Sequence, residues 1–116
     1  MNFNYTIKEK EKYFLVKLSG NLMEKNQANE LMEEIAHDMT KNSKLFILDM
    51  KDMEYLNSSG LTVFLNILTK SRKAGGDTVL CHVSDKVRNV FAITRLTEVF
   101  TIIDDEESAI AEKNIF

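Results

Sequence analysis

The segment Asn57-Ser58-Ser59-Gly60 carries the residue types and spacing in this sequence that could support chemistry. It precedes a helical pattern, and the first backbone N–H groups of a helix lack intrahelical acceptors and face the positive end of the helix dipole. A serine at such a point can cap the helix, carry or bind an anionic group, or act as a nucleophile if a general base lies beside it. On local composition alone, capping is the simplest role for Ser58 or Ser59.

The other reactive side chains are those of two histidines, His37 and His82, and of a single cysteine, Cys81. The sequence gives no reason to expect either histidine beside Ser58 as a general base, and it contains no phosphate-binding loop or dinucleotide-binding motif, so we expect no catalysis. Cys81 and His82 are neighbours in a predicted strand, where adjacent side chains point to opposite faces. We therefore expect no shared metal ion, no metal site elsewhere and no cofactor.

A buried strand and an amphipathic helix must position the serine segment. The four consecutive apolar residues Leu45 to Leu48 predict a strand that is covered on both faces, because a half-exposed strand would alternate. From Leu61 onward, apolar residues recur at three- and four-residue spacing, which predicts a largely buried helix that ends at Gly75-Gly76. Open α/β folds usually bind their ligands where strands end and helices begin.

The N-terminal third predicts two strands and a helix. Alternating apolar residues in Phe3 to Ile7 predict the first strand, and Tyr13 to Leu18 predict a second that forms an antiparallel hairpin with it. The turn-forming residues Ser19-Gly20-Asn21 are expected to end the second strand. A helix should follow, and its apolar stripe consists of Ala28, Leu31, Met32, Ile35, Ala36 and Met39.

The C-terminal third alternates strands with helices. Thr78 to Val83 and Val99 to Ile103 are predicted strands. The helix between them should begin at the N-cap Ser84, and its buried side consists of Val87, Val90 and Phe91. The acidic run Asp104 to Glu107 suits the first turn of a final helix. The predicted fold class is α/β, with an opening hairpin, alternating strands and helices, and helices packed against a mixed sheet.

Composition limits the class of protein. The 116 residues, 44% hydrophobic and 28% charged, predict a single globular domain over residues 1–116. A net charge of −3 argues against direct, sequence-independent binding to nucleic acid, which depends on Lys and Arg. No apolar run has the length of a signal peptide or a membrane span, so we expect a cytoplasmic protein without a membrane partner.

Motifs along nearly the whole chain together resemble the STAS domain of bacterial anti-sigma factor antagonists. They are Tyr55-Leu56-Asn57-Ser58-Ser59-Gly60-Leu61, Lys73-Ala74-Gly75-Gly76-Asp77, Val83-Ser84-Asp85-Lys86-Val87 and Thr94-Arg95-Leu96. The family pattern is Asp-Ser-Ser/Thr-Gly-Leu, and its first serine, which matches Ser58, is phosphorylated by a partner kinase. This sequence departs from the family at Asn57, where aspartate is usual, and at Met23, where antagonists often carry aspartate.

The resemblance implies a STAS-type mixed sheet and a regulatory switch. Unphosphorylated protein would capture an anti-sigma factor that is a serine kinase and so free a sigma factor; a PP2C-type phosphatase would reverse phosphorylation. Ser58 is the expected phosphorylation site, ahead of Ser59. The partner-binding residues that the resemblance implies are Leu22, Met23, Asn57, Ser58, Ser59, Gly60 and Leu61.

Two other functions fit the same sequence. A constitutive STAS scaffold or transporter-associated subunit would hold its partner permanently, with Ser58 serving only as a cap, and a small-molecule sensor would use the junction as an anion pocket. Asparagine and aspartate both cap helices, so we expect Asn57 to preserve the loop. We expect Gly60 to allow either a close backbone approach or a positive φ.

Overall fold

The computed structural model describes residues 2–41 and 45–113, a little less than the predicted domain range of 1–116. Its strands are β1 (Asn4–Glu9), β2 (Phe14–Leu22), β3 (Leu45–Leu56), β4 (Asp77–Cys81) and β5 (Thr101–Ile103). A short 3₁₀ helix, Lys25–Ala28, precedes α1 (Asn29–Asp38), and the remaining helices are α2 (Ser58–Lys73), α3 (Asp85–Ile93) and α4 (Glu106–Lys113). Strands and helices alternate after an opening hairpin, as the sequence predicts.

The five strands form one mixed sheet in the order β1-β2-β3-β4-β5. β1 pairs with β2 in antiparallel fashion, and every later pair is parallel. Because parallel strands that follow one another in order are joined by right-handed crossovers, the connecting helices α1, α2 and α3 lie on the same face of the sheet. The predicted α/β class and mixed sheet are confirmed.

The two faces of the sheet carry separate hydrophobic cores. Alternate residues of β3 divide between them: Phe46 joins the larger core beside Phe64 of α2 and Phe91 of α3, whereas Ile47 joins the smaller core beside Ala109 of α4. All five of these side chains are fully buried. The run Leu45 to Leu48 is therefore covered on both faces, as its unbroken hydrophobicity predicts.

The second strand is longer than the sequence predicts. Ser19-Gly20-Asn21 does not end it, and β2 continues to Leu22 in parallel pairing with the second half of β3. The pairing register shifts between Lys17 and Ser19 and again between Gly20 and Asn21, and Gly20 takes a φ of 86°. Such bulges bend a strand without ending its ladder, so the predicted break is wrong.

Several predicted boundaries also move. α2 begins at Ser58 rather than near Leu61, because Asn57 supplies the cap. β4 ends at Cys81, so His82 lies outside it, and Val99 lies outside β5. Ala36 is exposed and does not belong to the buried stripe of α1.

Two predicted helix termini are confirmed. The Ser84 hydroxyl accepts a hydrogen bond from the Val87 N–H at 3.2 Å, which caps α3. Gly75 takes a φ of 92° just after α2, the left-handed conformation that a glycine at this position favours.

Candidate functional site

Asn57, rather than either serine, caps the helix that follows the central strand. Its backbone is extended, and its Oδ1 accepts a hydrogen bond from the Gly60 N–H at 3.0 Å. Its carbonyl oxygen accepts the first helical bond, from the Leu61 N–H at 2.9 Å. Because Asn57 forms the helix cap, neither Ser58 nor Ser59 has the capping role that local composition favours for a serine.

Ser58 and Ser59 form the exposed first turn of α2. Within the described part of the chain, neither hydroxyl has a hydrogen-bond partner, and the Ser58 carbonyl oxygen accepts a hydrogen bond from the Thr62 hydroxyl at 3.0 Å. The N–H groups of both serines precede the first full helical turn and have no intrahelical acceptor. The site therefore offers two accessible hydroxyls at the positive end of a 16-residue helix.

A backbone contact joins this turn to the end of β2. A Cβ added to Gly60 would lie 2.3 Å from the Leu22 carbonyl oxygen, so only glycine allows the two segments to approach this closely. The same oxygen accepts a hydrogen bond from the Asn57 N–H at 3.4 Å. Of the two roles expected for Gly60, the structure supports close approach; its φ is not positive.

The loop after β2 lies beside the serine turn because β2 and β3 end together, with Leu22 and Leu56 paired across the ladder. The Gln27 side chain fastens this loop: its Oε1 accepts from the Met23 N–H at 2.8 Å and the Glu24 N–H at 2.9 Å, and its Nε2 donates to the Asn21 carbonyl at 3.2 Å. Met23 keeps 36% of its surface exposed. Sequence reasoning did not single out Gln27, although the Glu24-x-x-Gln27 spacing is that of a capping box.

Tyr55 adds a second exposed apolar group next to the site. It lies two residues before Asn57, keeps 40% of its surface exposed and pairs across the ladder with Asn21. The Lys86 ammonium group lies 5.2 Å from the centre of its ring, in cation–π range, and comes from the first turn of α3. The contact between Tyr55 and Lys86 could not be foreseen, because the two residues are 31 positions apart in the sequence and only the fold brings them together.

The seven predicted partner-binding residues divide into two groups. Met23, Ser58 and Ser59 are exposed, and Asn57 is half-buried. Leu22, Gly60 and Leu61 are buried, so their side chains are not available to a partner. These three residues pack the two loops against each other, and the partner-binding role of all seven stays a prediction.

A second cluster of reactive side chains lies on the opposite face of the sheet, the face that α4 covers. Asp49, Cys81 and His82 each offer one ligand atom, and these three atoms lie within 4.8 Å of one another. The expectation that Cys81 and His82 point to opposite faces is wrong, because β4 ends at Cys81 and His82 turns back with a φ of 55°. Its Nδ1 lies 3.9 Å from the Cys81 sulfur and 2.9 Å from Asp49 Oδ1.

A cavity of about 770 Å³ lies elsewhere, between β1 and α1. Its lining includes Tyr5 and Glu34, which are hydrogen-bonded at 2.8 Å, and none of the residues of the serine turn. Burial, followed by the Glu34 carboxylate, raises the pKa of Tyr5 to about 12, so this hydroxyl stays protonated at neutral pH. Among the described residues, no helix is both long and apolar enough to cross a membrane.

The fold and the serine turn together define a STAS domain. The model of the STAS domain family matches residues 4–109, so this chain belongs to that family, and the resemblance indicated by the sequence motifs is confirmed. The chain is 32% identical over 84 residues to BtrV of Bordetella bronchiseptica, a match that covers 72% of each protein. It is 28% identical over 110 residues to the anti-sigma-B factor antagonist of Bacillus subtilis, covering 95% of this chain and 99% of that protein.

Solved structures of the Bacillus protein SpoIIAA share the fold. The unphosphorylated form of that anti-sigma factor antagonist superposes with a TM-score of 0.80 at 18% identity, covering 97% of this chain and 99% of that one. The phosphorylated form gives a TM-score of 0.71 at 19% identity, covering 94% and 98%. At these identities the similarity establishes the sheet and its helices, not the function.

Proposed function

We propose that this protein is an anti-sigma factor antagonist that acts by partner switching. Unphosphorylated, it binds an anti-sigma factor with serine-kinase activity and thereby frees a sigma factor; phosphorylation of Ser58 abolishes the binding. The observation that carries the proposal is that Asn57 caps α2 while the Ser58 hydroxyl remains exposed. Membership of the STAS family and similarity to the anti-sigma-B factor antagonist of Bacillus subtilis support it.

An unengaged hydroxyl is what a kinase requires. The kinase transfers the γ-phosphoryl group of ATP to Ser58 Oγ, the hydroxyl proton is released, and ADP leaves. A serine that capped the helix would first have to give up its hydrogen bond, which contributes about 1 kcal/mol. Ser59 is equally exposed, and the choice of Ser58 rests on its position in the family motif.

A phosphate at this position should affect binding much more than folding. It adds a charge of about −1.5 to −2 and three acceptor oxygens. The N-terminus of α2 favours an anion by roughly 0.3–1 kcal/mol, so the fold should tolerate the modification. A partner packed against the bare hydroxyl would instead have to desolvate a strongly hydrated group, at a cost of several kcal/mol.

Recognition of the unmodified form should depend on shape and hydrogen bonds more than on charge. Asn57 replaces the family's aspartate and so removes a negative charge while keeping one acceptor oxygen and adding donors. Met23 and Tyr55 offer exposed apolar surface near the serine turn, suited to pockets on the partner. Binding should therefore depend only weakly on salt concentration.

The chain itself would be a regulator without catalytic activity. ATP and Mg²⁺ would belong to the partner kinase, and a PP2C-type phosphatase would restore the Ser58 hydroxyl. The protein would act in the cytoplasm, where the sigma factor it releases meets polymerase. This proposal includes no direct contact with nucleic acid, in keeping with the net charge of −3.

Phosphorylation by the cognate kinase tests the assignment of the acceptor. The protein, Ser58→Ala and Ser59→Ala should each be incubated with the kinase, ATP and Mg²⁺ and then analysed by mass spectrometry. We expect phosphate on the peptide that contains residues 57–61, lost in Ser58→Ala and retained in Ser59→Ala. The reverse pattern would move the site to Ser59, and no phosphate on any form would favour the constitutive scaffold.

A charge mimic tests the switch separately from the fold. Ser58→Asp should weaken binding to the anti-sigma factor and leave the thermal unfolding midpoint nearly unchanged, because the residue is exposed and the helix dipole accepts a carboxylate. Ser59→Asp, one residue further along the same turn, is the matched control for added charge. A large loss of folding cooperativity in Ser58→Asp would mean that Ser58 is structural.

A further inference from the structure

Asp49 and Cys81 face each other across the pairing of β3 with β4, where they are register partners. Both belong to the face of the sheet that α4 covers: Ile47 and Val79, two residues earlier in each strand, lie in the core that includes Ala109 of α4. The sequence offers no local signal for this pair, because the two residues are 32 positions apart.

His82 completes the cluster through an unusual backbone conformation. Its φ of 55° is in the left-handed region, which few residues other than glycine adopt and in which histidine is enriched. Its N–H donates to the Asp104 carbonyl oxygen at 3.1 Å, which holds this turn at the end of β4. In a continued strand the ring would lie on the opposite face, whereas here it lies over Cys81 and Asp49.

The surroundings of the cluster favour a cation. The carboxylates of Asp49, Glu106 and Asp105 are close enough to act electrostatically on the Cys81 sulfur. Their negative potential attracts a positive ion, and the ion would in turn stabilise a bound Cys81 thiolate. The His82 side chain is 36% exposed, so the cluster meets solvent on the side of this ring.

We propose that Asp49, Cys81 and His82 bind a Zn²⁺ ion, with the fourth coordination position held by water. A thiolate, an imidazole nitrogen and a carboxylate oxygen are the donors that zinc prefers. Zinc–ligand distances of about 2.0–2.3 Å place ligand atoms roughly 3.5 Å apart in a tetrahedron. The Cys81–His82 separation of 3.9 Å and the His82–Asp49 separation of 2.9 Å bracket that value, and all three ligand atoms lie within 4.8 Å of one another, so side-chain rotations can bring them to this spacing.

Binding would exchange one cation for protons. The Cys81 thiol loses its proton to solvent as the sulfur–zinc bond forms, and His82 binds as the neutral imidazole through Nδ1. The His82 Nδ1 proton that is donated to Asp49 Oδ1 shifts to Nε2 by tautomerisation through solvent, this hydrogen bond breaks, and Nδ1 and Oδ1 both become ligands. No step in this exchange depends on Ser58 or on the partner-switching function.

Titration of the purified, chelator-stripped chain with Co²⁺ tests the site, because a thiolate bound to cobalt gives a charge-transfer absorption that carboxylate or histidine sites lack. We expect this absorption to saturate at one equivalent and to disappear when Zn²⁺ is added. His82→Asn should abolish one-equivalent binding; the position is exposed and asparagine tolerates the left-handed conformation, so the variant should fold. His37→Asn, which changes the only other histidine, should leave the absorption unchanged.

Thermal unfolding gives an independent readout. At a hundred times its dissociation constant, Zn²⁺ should increase the folding equilibrium constant about a hundredfold in the wild type and leave His82→Asn unaffected. Cys81→Ala should lose the charge-transfer absorption entirely. No absorption in the wild type, or an absorption that survives in His82→Asn, would overturn the proposal and leave the cluster as a His82–Asp49 hydrogen bond beside a buried thiol.

Discussion

Replacing Gly60 by alanine should destabilise this protein, although alanine is the better helix former. Gly60 lies in the first turn of α2, where the change alone would gain about 0.5–1 kcal/mol. The added Cβ would lie 2.3 Å from the Leu22 carbonyl oxygen, inside the 3.0 Å that real Cβ atoms keep from other atoms. That oxygen belongs to the backbone of β2 and also accepts the Asn57 N–H, so it has little freedom to move away.

The expected size of the effect follows from these opposing contributions. Overpacking of this kind typically costs 1–3 kcal/mol. After the gain in helix propensity is subtracted, the free energy of unfolding should fall by about 0.5–2 kcal/mol. The strain should also separate the serine turn from the Met23 loop, so partner binding should weaken by more than the unfolded fraction explains. Gly60→Val should show both effects more strongly.

Equilibrium unfolding in urea measures the loss of stability, and Ser59→Ala is the matched control. Ser59 lies in the same turn but is exposed, so alanine there should be neutral or slightly stabilising. Hydrogen exchange at the Asn57 N–H should accelerate in Gly60→Ala, because its acceptor is the displaced Leu22 carbonyl. If Gly60→Ala is as stable as Ser59→Ala, the argument from close backbone approach is refuted.

Two further predictions follow from hydrogen bonds at helix N-termini. Asn57→Ala should lower the free energy of unfolding by about 1 kcal/mol, because the helix cap is lost. Asn57→Asp should keep the cap and make the affinity for the partner depend more strongly on salt concentration. If the affinities of the wild type and Asn57→Asp respond identically to salt, the electrostatic argument is contradicted. The hydrogen bond from Ser108 lowers the pKa of the Asp105 carboxyl below its usual 3.8. The ionised Asp105 therefore stabilises the fold fully above that pH, and this stabilisation is lost as the pH falls through the lowered pKa. The free energy of unfolding should therefore fall less steeply on acidification in Asp105→Ala than in the wild type. If its dependence on pH is unchanged, this role of Asp105 is excluded.

The sequence by itself determined the elements whose signals are local. Four consecutive apolar residues from Leu45 identify a strand buried on both faces, and the 3- and 4-residue spacing after Leu61 identifies the helix that follows it. Ser84 and Gly75 mark helix termini because their cap and turn conformations depend on neighbours a few residues away. Patterns of this kind require no knowledge of which element packs against which.

Local signals were insufficient at the serine turn. Asn57, Ser58 and Ser59 can each cap a helix, and composition cannot choose among them. The choice of Asn57 depends on contacts from a distant strand: the Leu22 carbonyl accepts the Asn57 N–H and lies against Gly60. The tertiary structure thus decided which hydroxyls remain exposed.

Only the tertiary structure could also decide which distant residues meet. Continued pairing with β3 carries β2 through its bulges to Leu22, and the register of β3 with β4 brings Asp49 beside Cys81. The left-handed turn at His82 then reverses the direction that strand alternation predicts for its side chain. The periodicity of apolar residues determines which face of a helix or strand is buried. Strand register and isolated backbone turns instead arise from packing between segments that are far apart in the sequence, so no local pattern predicts them.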